Sequence, residues 1–165
     1  MPEAETLVGR YRVKFDPSAA MGMPAHITLL YPFIAPHRIT HDDRASLRDC
    51  LADLSAFAFE LSAMRHFPTH LLYLAPAPAE IFRQITLAIW ARFPDFPPYG
   101  GRHPDIVPHL SVAQLESEAV LQPATNEFEA ECRQRLPIRT RAAEAALMDD
   151  TNGRWEVREL LPFSR

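Results

Sequence analysis

Cysteine is scarce: Cys50 and Cys132 are the only two in 165 residues, far apart and without C-x-x-C spacing. That excludes a disulfide framework and a zinc knuckle, and buried free thiols in a reducing compartment are expected. Long apolar runs are also missing. No stretch approaches the ~18–20 residues of a membrane span, and the opening MPEAETLVGR has neither the basic nor the apolar region of a secretory leader. A cytoplasmic protein with no membrane partner is expected. A basic field is absent too, since 17 Lys and Arg against 21 Asp and Glu give a net charge of −4 and a pI near 6.0. Any contact with nucleic acid must therefore be local, because no overall positive potential exists to hold a long duplex. Lys14 is the sole lysine, which reads as codon bias.

What the chain does have is apolar content, 47%, and a length suited to one domain with a sizeable core, so residues 1–165 are taken as a single domain, expected to be a monomer. Proline is abundant at 16, about twice the usual ~5%, whereas glycine, at 5, is low against ~7%. The prolines sit in YPFIAP, APAP, FPDFPPYGG and VPHL. Each group lies at the edge of a periodic segment, so they mark element boundaries rather than a linker.

Leu7, Tyr11 and Phe15 recur every four residues behind Pro2 and two early glutamates, predicting a helix over 3–15. Residues 25–31 predict a strand. Thr40 three residues before Asp43 suggests an N-cap for a helix whose face carries Leu47, Leu51 and Leu54. FAFELSAM and HLLYLAP read as strands, 78–93 as a helix, and FPDFPPYGGRHPDIV as a long loop of the kind more often functional than idle. A strand in PHLSVAQL, a helix within 116–135 and a final hairpin, IRTRAAEAALMDD to RWEVRELLPF through Asn152-Gly153, complete the chain. Helices interleaved with strands in this order imply a layered α+β or α/β domain.

One pattern occurs twice. Pro24, His26 and Thr28 are matched by Pro108, His109 and Ser111, each time in an apolar segment ahead of a helix. On a strand, residues two apart share a face, so each segment would hold an imidazole beside a hydroxyl on one side and anchor itself by the other. Seven histidines give on the order of one H-x-[ST] by chance. A single copy would be a satisfied strand histidine, but two copies in matched settings are not explained that way. Two imidazoles and two hydroxyls facing one cleft suit phosphodiester cleavage: a neutral ring takes a proton from a nucleophile, a charged ring protonates the leaving oxygen, and the hydroxyls donate to phosphate oxygens.

PAHITLLYPF and VPHLSVAQL resemble the paired H-x-[ST] motifs of the two-histidine (2H) phosphoesterase superfamily, in particular its 2′-5′ RNA ligase-like or RNA 2′,3′-cyclic phosphodiesterase branch. The likeness extends through DPSAAMGMPAHITLLYPF, LLYLAP, PPYGGRHPDIVPHLSVA and GRWEVRELLPF. It implies an α+β fold of two pseudo-symmetric lobes of antiparallel sheet, with outer helices, around a central cleft that needs no metal or other cofactor. It also implies opening of 2′,3′-cyclic phosphates on RNA termini or small nucleotides. His26 and His109 would be the acid and base, with His26 assigned first as acid and the two roles exchangeable; Thr28 and Ser111 would hold the phosphate. A noncatalytic RNA-end or nucleotide-binding module and a 2′-5′ RNA ligase are the alternatives. The family places a strand before its first helix whereas this sequence opens on the helix, so a chain extended upstream is expected to melt at a higher temperature.

Tyr99 and Arg102, just ahead of the second motif, are candidate substrate contacts, one by stacking on a base and the other by binding phosphate. Tyr31 falls on the opposite strand face from His26 and is expected in the core. His37 and His41 with Asp42 and Asp43, and His66 with His70 around Pro68, have spacings that hint at metal, but neither set shares a helix face. No metal ligand is therefore assigned.

Overall fold

The computed structural model describes residues 1–68, 71–114 and 118–164, with side chains described for all of these except 118–124. Its elements are α1 (Pro2–Phe15), α2 (Pro17–Ala20), α3 (His41–Ala52), β1 (Phe57–Phe67), β2 (Leu71–Ala77), α4 (Glu80–Arg92), β3 (Leu110–Gln114), α5 (Glu118–Arg135), β4 (Ile138–Ala142), β5 (Glu144–Asp149) and β6 (Glu156–Pro162). The fold is α+β, with a four-stranded sheet in the order β3-β2-β1-β4 and a two-stranded sheet β5-β6. The described residues cluster into two compact units, 1–27 with 59–78 and 109–140, and 28–58 with 79–108 and 141–165.

The first unit is built on the larger sheet. β2 pairs antiparallel with β1 on one side and with β3 on the other, and Leu72, Leu74, Leu110 and Val112 are fully buried. α1 packs on β3 and buries Ala4, Leu7, Val8 and Tyr11, while Tyr11 meets Phe128 of α5 edge to face at 4.8 Å. Each such aliphatic side chain contributes about 1.5–3 kcal/mol through burial, which fixes the sheet register from which the second motif projects.

In the second unit, Leu47 and Leu51 of α3, Ile85 and Ile89 of α4, and Leu161 of β6 form a core with Phe93 and Phe163. Aromatic edges tighten it: Phe33 lies 5.1 Å from Phe93 and 5.5 Å from Phe96, and Phe57 lies 5.3 Å from Phe82. α3 begins with the expected cap, as the Thr40 hydroxyl accepts from the Asp43 N–H while the Asp43 carboxylate accepts from the Thr40 N–H.

Several expectations need correction. No strand forms over 25–31: the Ala25 N–H donates to the Glu5 carboxylate, the Ala25 carbonyl accepts from the N-terminal amine and the Tyr31 carbonyl accepts from the Tyr99 N–H, in place of a strand ladder. Tyr31 is consequently not in the core but 58% exposed, with its ring edge on Trp155 at 6.4 Å, because strand alternation does not apply to an irregular segment. IRTRAAEAALMDD is not one strand but two, interrupted at Ala143 and divided between the two sheets. The closing hairpin forms, yet the Asp149–Glu156 pairing leaves a connection over 150–155, wider than a two-residue turn, with Gly153 at φ 76°. Cys132 is buried and Cys50 only partly so, both as free thiols. His70 and the first two positions expected for α5 lie outside the described residues.

Candidate active site

The His26 segment is held by side chains. Arg12, on the last turn of α1, is 2% exposed; its Nε and Nη2 donate to Asp16 Oδ2 at 3.1 and 3.0 Å, and its Nη1 donates to the Met23 carbonyl at 3.0 Å. Asp16 uses its other oxygen to cap α2, accepting from the Ser18 N–H at 2.9 Å and the Ser18 hydroxyl at 2.7 Å. The Glu5 carboxylate accepts from the Ala25 N–H and lies 3.6 Å from Arg12 Nη1. A buried guanidinium is tolerable only when paired and hydrogen-bonded, and here two carboxylates and one carbonyl meet that need. Their geometry fixes the backbone on both sides of Pro24.

From that mount His26 turns its Nδ1 to the Pro24 carbonyl at 2.8 Å. A carbonyl can only accept, so Nδ1 carries the hydrogen, and in the neutral ring Nε2 carries the lone pair. Burial holds the His26 pKa below its ordinary value. The hydrogen bond to the Pro24 carbonyl opposes that shift, as does Asp16, while the charges of Arg12 and His109 add to it. His26 and His109 both belong to the first unit.

His109 is held by the sheet. It immediately precedes β3, and its ring stands edge-on to Phe67 of β1 at 5.1 Å and to Tyr73 of β2 at 5.4 Å; those two rings stack on each other at 4.4 Å. Ser111 pairs directly with Tyr73 across the strands, so Ser111, Tyr73 and His109 occupy one face while Leu110 and Val112 point into the core. The expected sharing of a face by imidazole and hydroxyl therefore holds at the second motif by strand geometry.

Thr28 follows His26 by two residues and opens the second unit. Tyr99 and Arg102 also lie in that unit. Tyr99 has a left-handed backbone (φ 55°), donates its N–H to the Tyr31 carbonyl at 2.7 Å and sets its ring edge 5.7 Å from His103; burial raises its phenol pKa. Arg102 is exposed. The surrounding loop and α4 frame a cavity of about 470 Å³ whose lining includes Arg83, Trp90 and His103 but neither Tyr99 nor Arg102. His41 and Asp42 are both solvent-exposed, and among the described residues no three His, Cys, Asp or Glu side chains form a group able to hold a metal.

Sequence reasoning missed Arg12, Asp16 and Glu5. The one available signal was Arg12 and Asp16 at i and i+4, with the arginine on a helix face otherwise made of Leu7, Val8 and Tyr11.

An α+β framework carrying two H-x-[ST] motifs 83 residues apart is the pattern of the two-histidine superfamily. The family model described as the 2′-5′ RNA ligase superfamily matches residues 1–154, nearly the whole chain, and the protein belongs to that superfamily. No curated protein matches the sequence. No helix among the described residues is long and apolar enough to cross a membrane.

Proposed function

We propose that the protein is a metal-independent phosphodiesterase that opens 2′,3′-cyclic phosphates at RNA ends or on small nucleotides. The observation that carries this reading is the His26 Nδ1 hydrogen bond to the Pro24 carbonyl, which leaves Nε2 to take a proton, in a chain whose second motif histidine heads β3 beside Ser111. His26, neutral in the resting protein, supports the role of base at Nε2, which favours the exchanged assignment over the one expected first. Water loses a proton to His26 as its oxygen bonds to phosphorus. The P–O3′ bond breaks, and a protonated His109 delivers its proton to O3′, leaving a 2′-phosphate. Ser111 donates its hydroxyl to a nonbridging oxygen, where charge grows in the transition state. Thr28 takes the corresponding role on the strength of the motif match. Residues 1–165 act as one such domain, a monomer in the reducing cytoplasm, with Tyr99 and Arg102 as candidate contacts to the nucleoside.

Hydrolysis of nucleoside 2′,3′-cyclic phosphates with EDTA present, followed by identification of the product, tests reaction, metal independence and regiochemistry together. The 2′-phosphate is expected. His26→Ala and His109→Ala should each lower kcat by about 10²–10⁴-fold without altering the circular dichroism spectrum. Full turnover by either variant rejects the mechanism, and tight binding without turnover in the native protein favours the noncatalytic reading.

A further inference from the structure

We infer that Arg65 binds a second phosphate, the diester one nucleotide upstream of the reacting one, and so makes an RNA terminus rather than a mononucleotide the preferred substrate. Arg65 of β1 pairs with Tyr73 of β2, and Tyr73 pairs with Ser111 of β3. The three form one lateral row, and residues paired this way project from the same face of a sheet. That face carries His109, through its ring contacts with Phe67 and Tyr73. Two strand spacings put Arg65 about 10 Å from Ser111, a gap that an extended arginine largely spans.

Arg65 shares the lack of a carboxylate partner with Arg38, Arg92, Arg102, Arg135, Arg141 and Arg154 among the described residues, and differs from them in its place in the row with Ser111. Arg10, Arg44, Arg48, Arg83, Arg139 and Arg158 each pair with a carboxylate. Arg65 is exposed and enters no ion pair among the described residues, and its row neighbours are an aromatic ring and a hydroxyl. In a chain of net charge −4, a cation left unneutralised beside the proposed reaction centre favours an anionic ligand. The guanidinium fork matches two oxygens of a phosphodiester. A nucleoside 2′,3′-cyclic phosphate has one phosphate, which Ser111 and the histidines engage, whereas any RNA end supplies the next at nucleotide spacing.

This inference rests on the proposed cyclic phosphodiesterase reading, and its test separates the two. Three substrates are compared: a nucleoside 2′,3′-cyclic phosphate, a dinucleotide ending in one, and the same dinucleotide with a neutral methylphosphonate linkage. The native protein should favour the charged dinucleotide by about tenfold in kcat/KM, the scale of one hydrogen-bonded charge contact. Arg65→Gln should erase that preference through KM, leaving kcat and mononucleotide turnover unchanged, and Arg65→Lys should restore part of it. Equal losses on all three substrates, or no discrimination against the methylphosphonate, overturn the inference. Fluorescence anisotropy with the two labelled dinucleotides decides the matter independently of turnover. If the native protein cleaves nothing, the proposed activity falls, yet Arg65 stands when Arg65→Gln weakens only the charged ligand and flattens log Kd against log salt by about 0.7. It falls when both ligands bind the two proteins alike.

Discussion

The two histidine motifs are near copies in sequence, yet the protein mounts them by different means. His26 sits on irregular backbone anchored by a buried arginine and two carboxylates, whereas His109 sits at the head of a strand, wedged against Phe67 and Tyr73. One mount is electrostatic and concentrated in a few groups. The other is hydrophobic and spread over a sheet. An ionic mount fixes position sharply but fails abruptly when one partner is lost, because the remaining charge stays buried. A packed mount degrades gradually.

The largest contrast is therefore expected from Arg12→Ala against Phe67→Leu. Removing Arg12 strands Asp16 in the interior and should cost about 3–5 kcal/mol of stability in denaturant titration, with turnover lost even where the variant stays folded. Phe67→Leu keeps most of the apolar volume and should cost about 0.5–1.5 kcal/mol, with a modest fall in kcat. Equal costs would show that the two mounts do not differ in kind.

A pH titration sharpens the same comparison. His26 has its folded pKa below the unfolded value of about 6.5, so between those two values the unfolded chain binds more protons and stability falls as the solution is acidified. The full contribution is present above about pH 6.5 and declines below it. His26→Asn should flatten that limb of the stability profile, while Phe67→Leu should leave it in place.

The smallest effect expected is at Gly9, in the middle of α1. A Cβ there would stand 2.9 Å from a Glu5 carboxylate oxygen, the group whose other oxygen holds Ala25. Gly9→Ala should raise helix stability by up to about 1 kcal/mol yet lower turnover severalfold by displacing Glu5. A rise in both stability and activity would show that Glu5 does not matter to the first mount.

The contrast also explains what was legible in the sequence. Helical periodicity located α1 and α4 to within two residues and α3 from its start, since each buries a stripe such as Leu47 and Leu51 that the sequence displays, although α3 ends at Ala52 and leaves Leu54, expected on its face, beyond it. The second motif was equally readable, because Leu110–Gln114 pairs with β2 and sets Ser111 opposite Tyr73, with one register shift on β2 between Leu72 and Tyr73. MPAHITLLYPF has the same apolar alternation but is no strand, and nothing local distinguishes it, for the side chains that hold Met23 and Ala25 sit on a helix up to twenty residues earlier and the Tyr31 carbonyl is claimed by Tyr99 much later in the chain. The break at Ala143 was hidden for a related reason: either half of IRTRAAEAALMDD suits a strand, and only tertiary pairing assigns them to separate sheets. The row that puts Arg65 beside Tyr73 and Ser111 required register, which composition does not encode.

The partners that brace the first histidine have a kinetic meaning as well. Glu5 reaches Ala25 across 20 residues and Arg12 reaches Met23 across 11, whereas Tyr73 and Ser111 are 38 apart along the chain. Short loops close sooner than long ones. In a refolding experiment, amides near Ala25 are therefore expected to gain protection from exchange before those of β3, so that the mount of the first histidine is complete while that of the second still awaits a sheet.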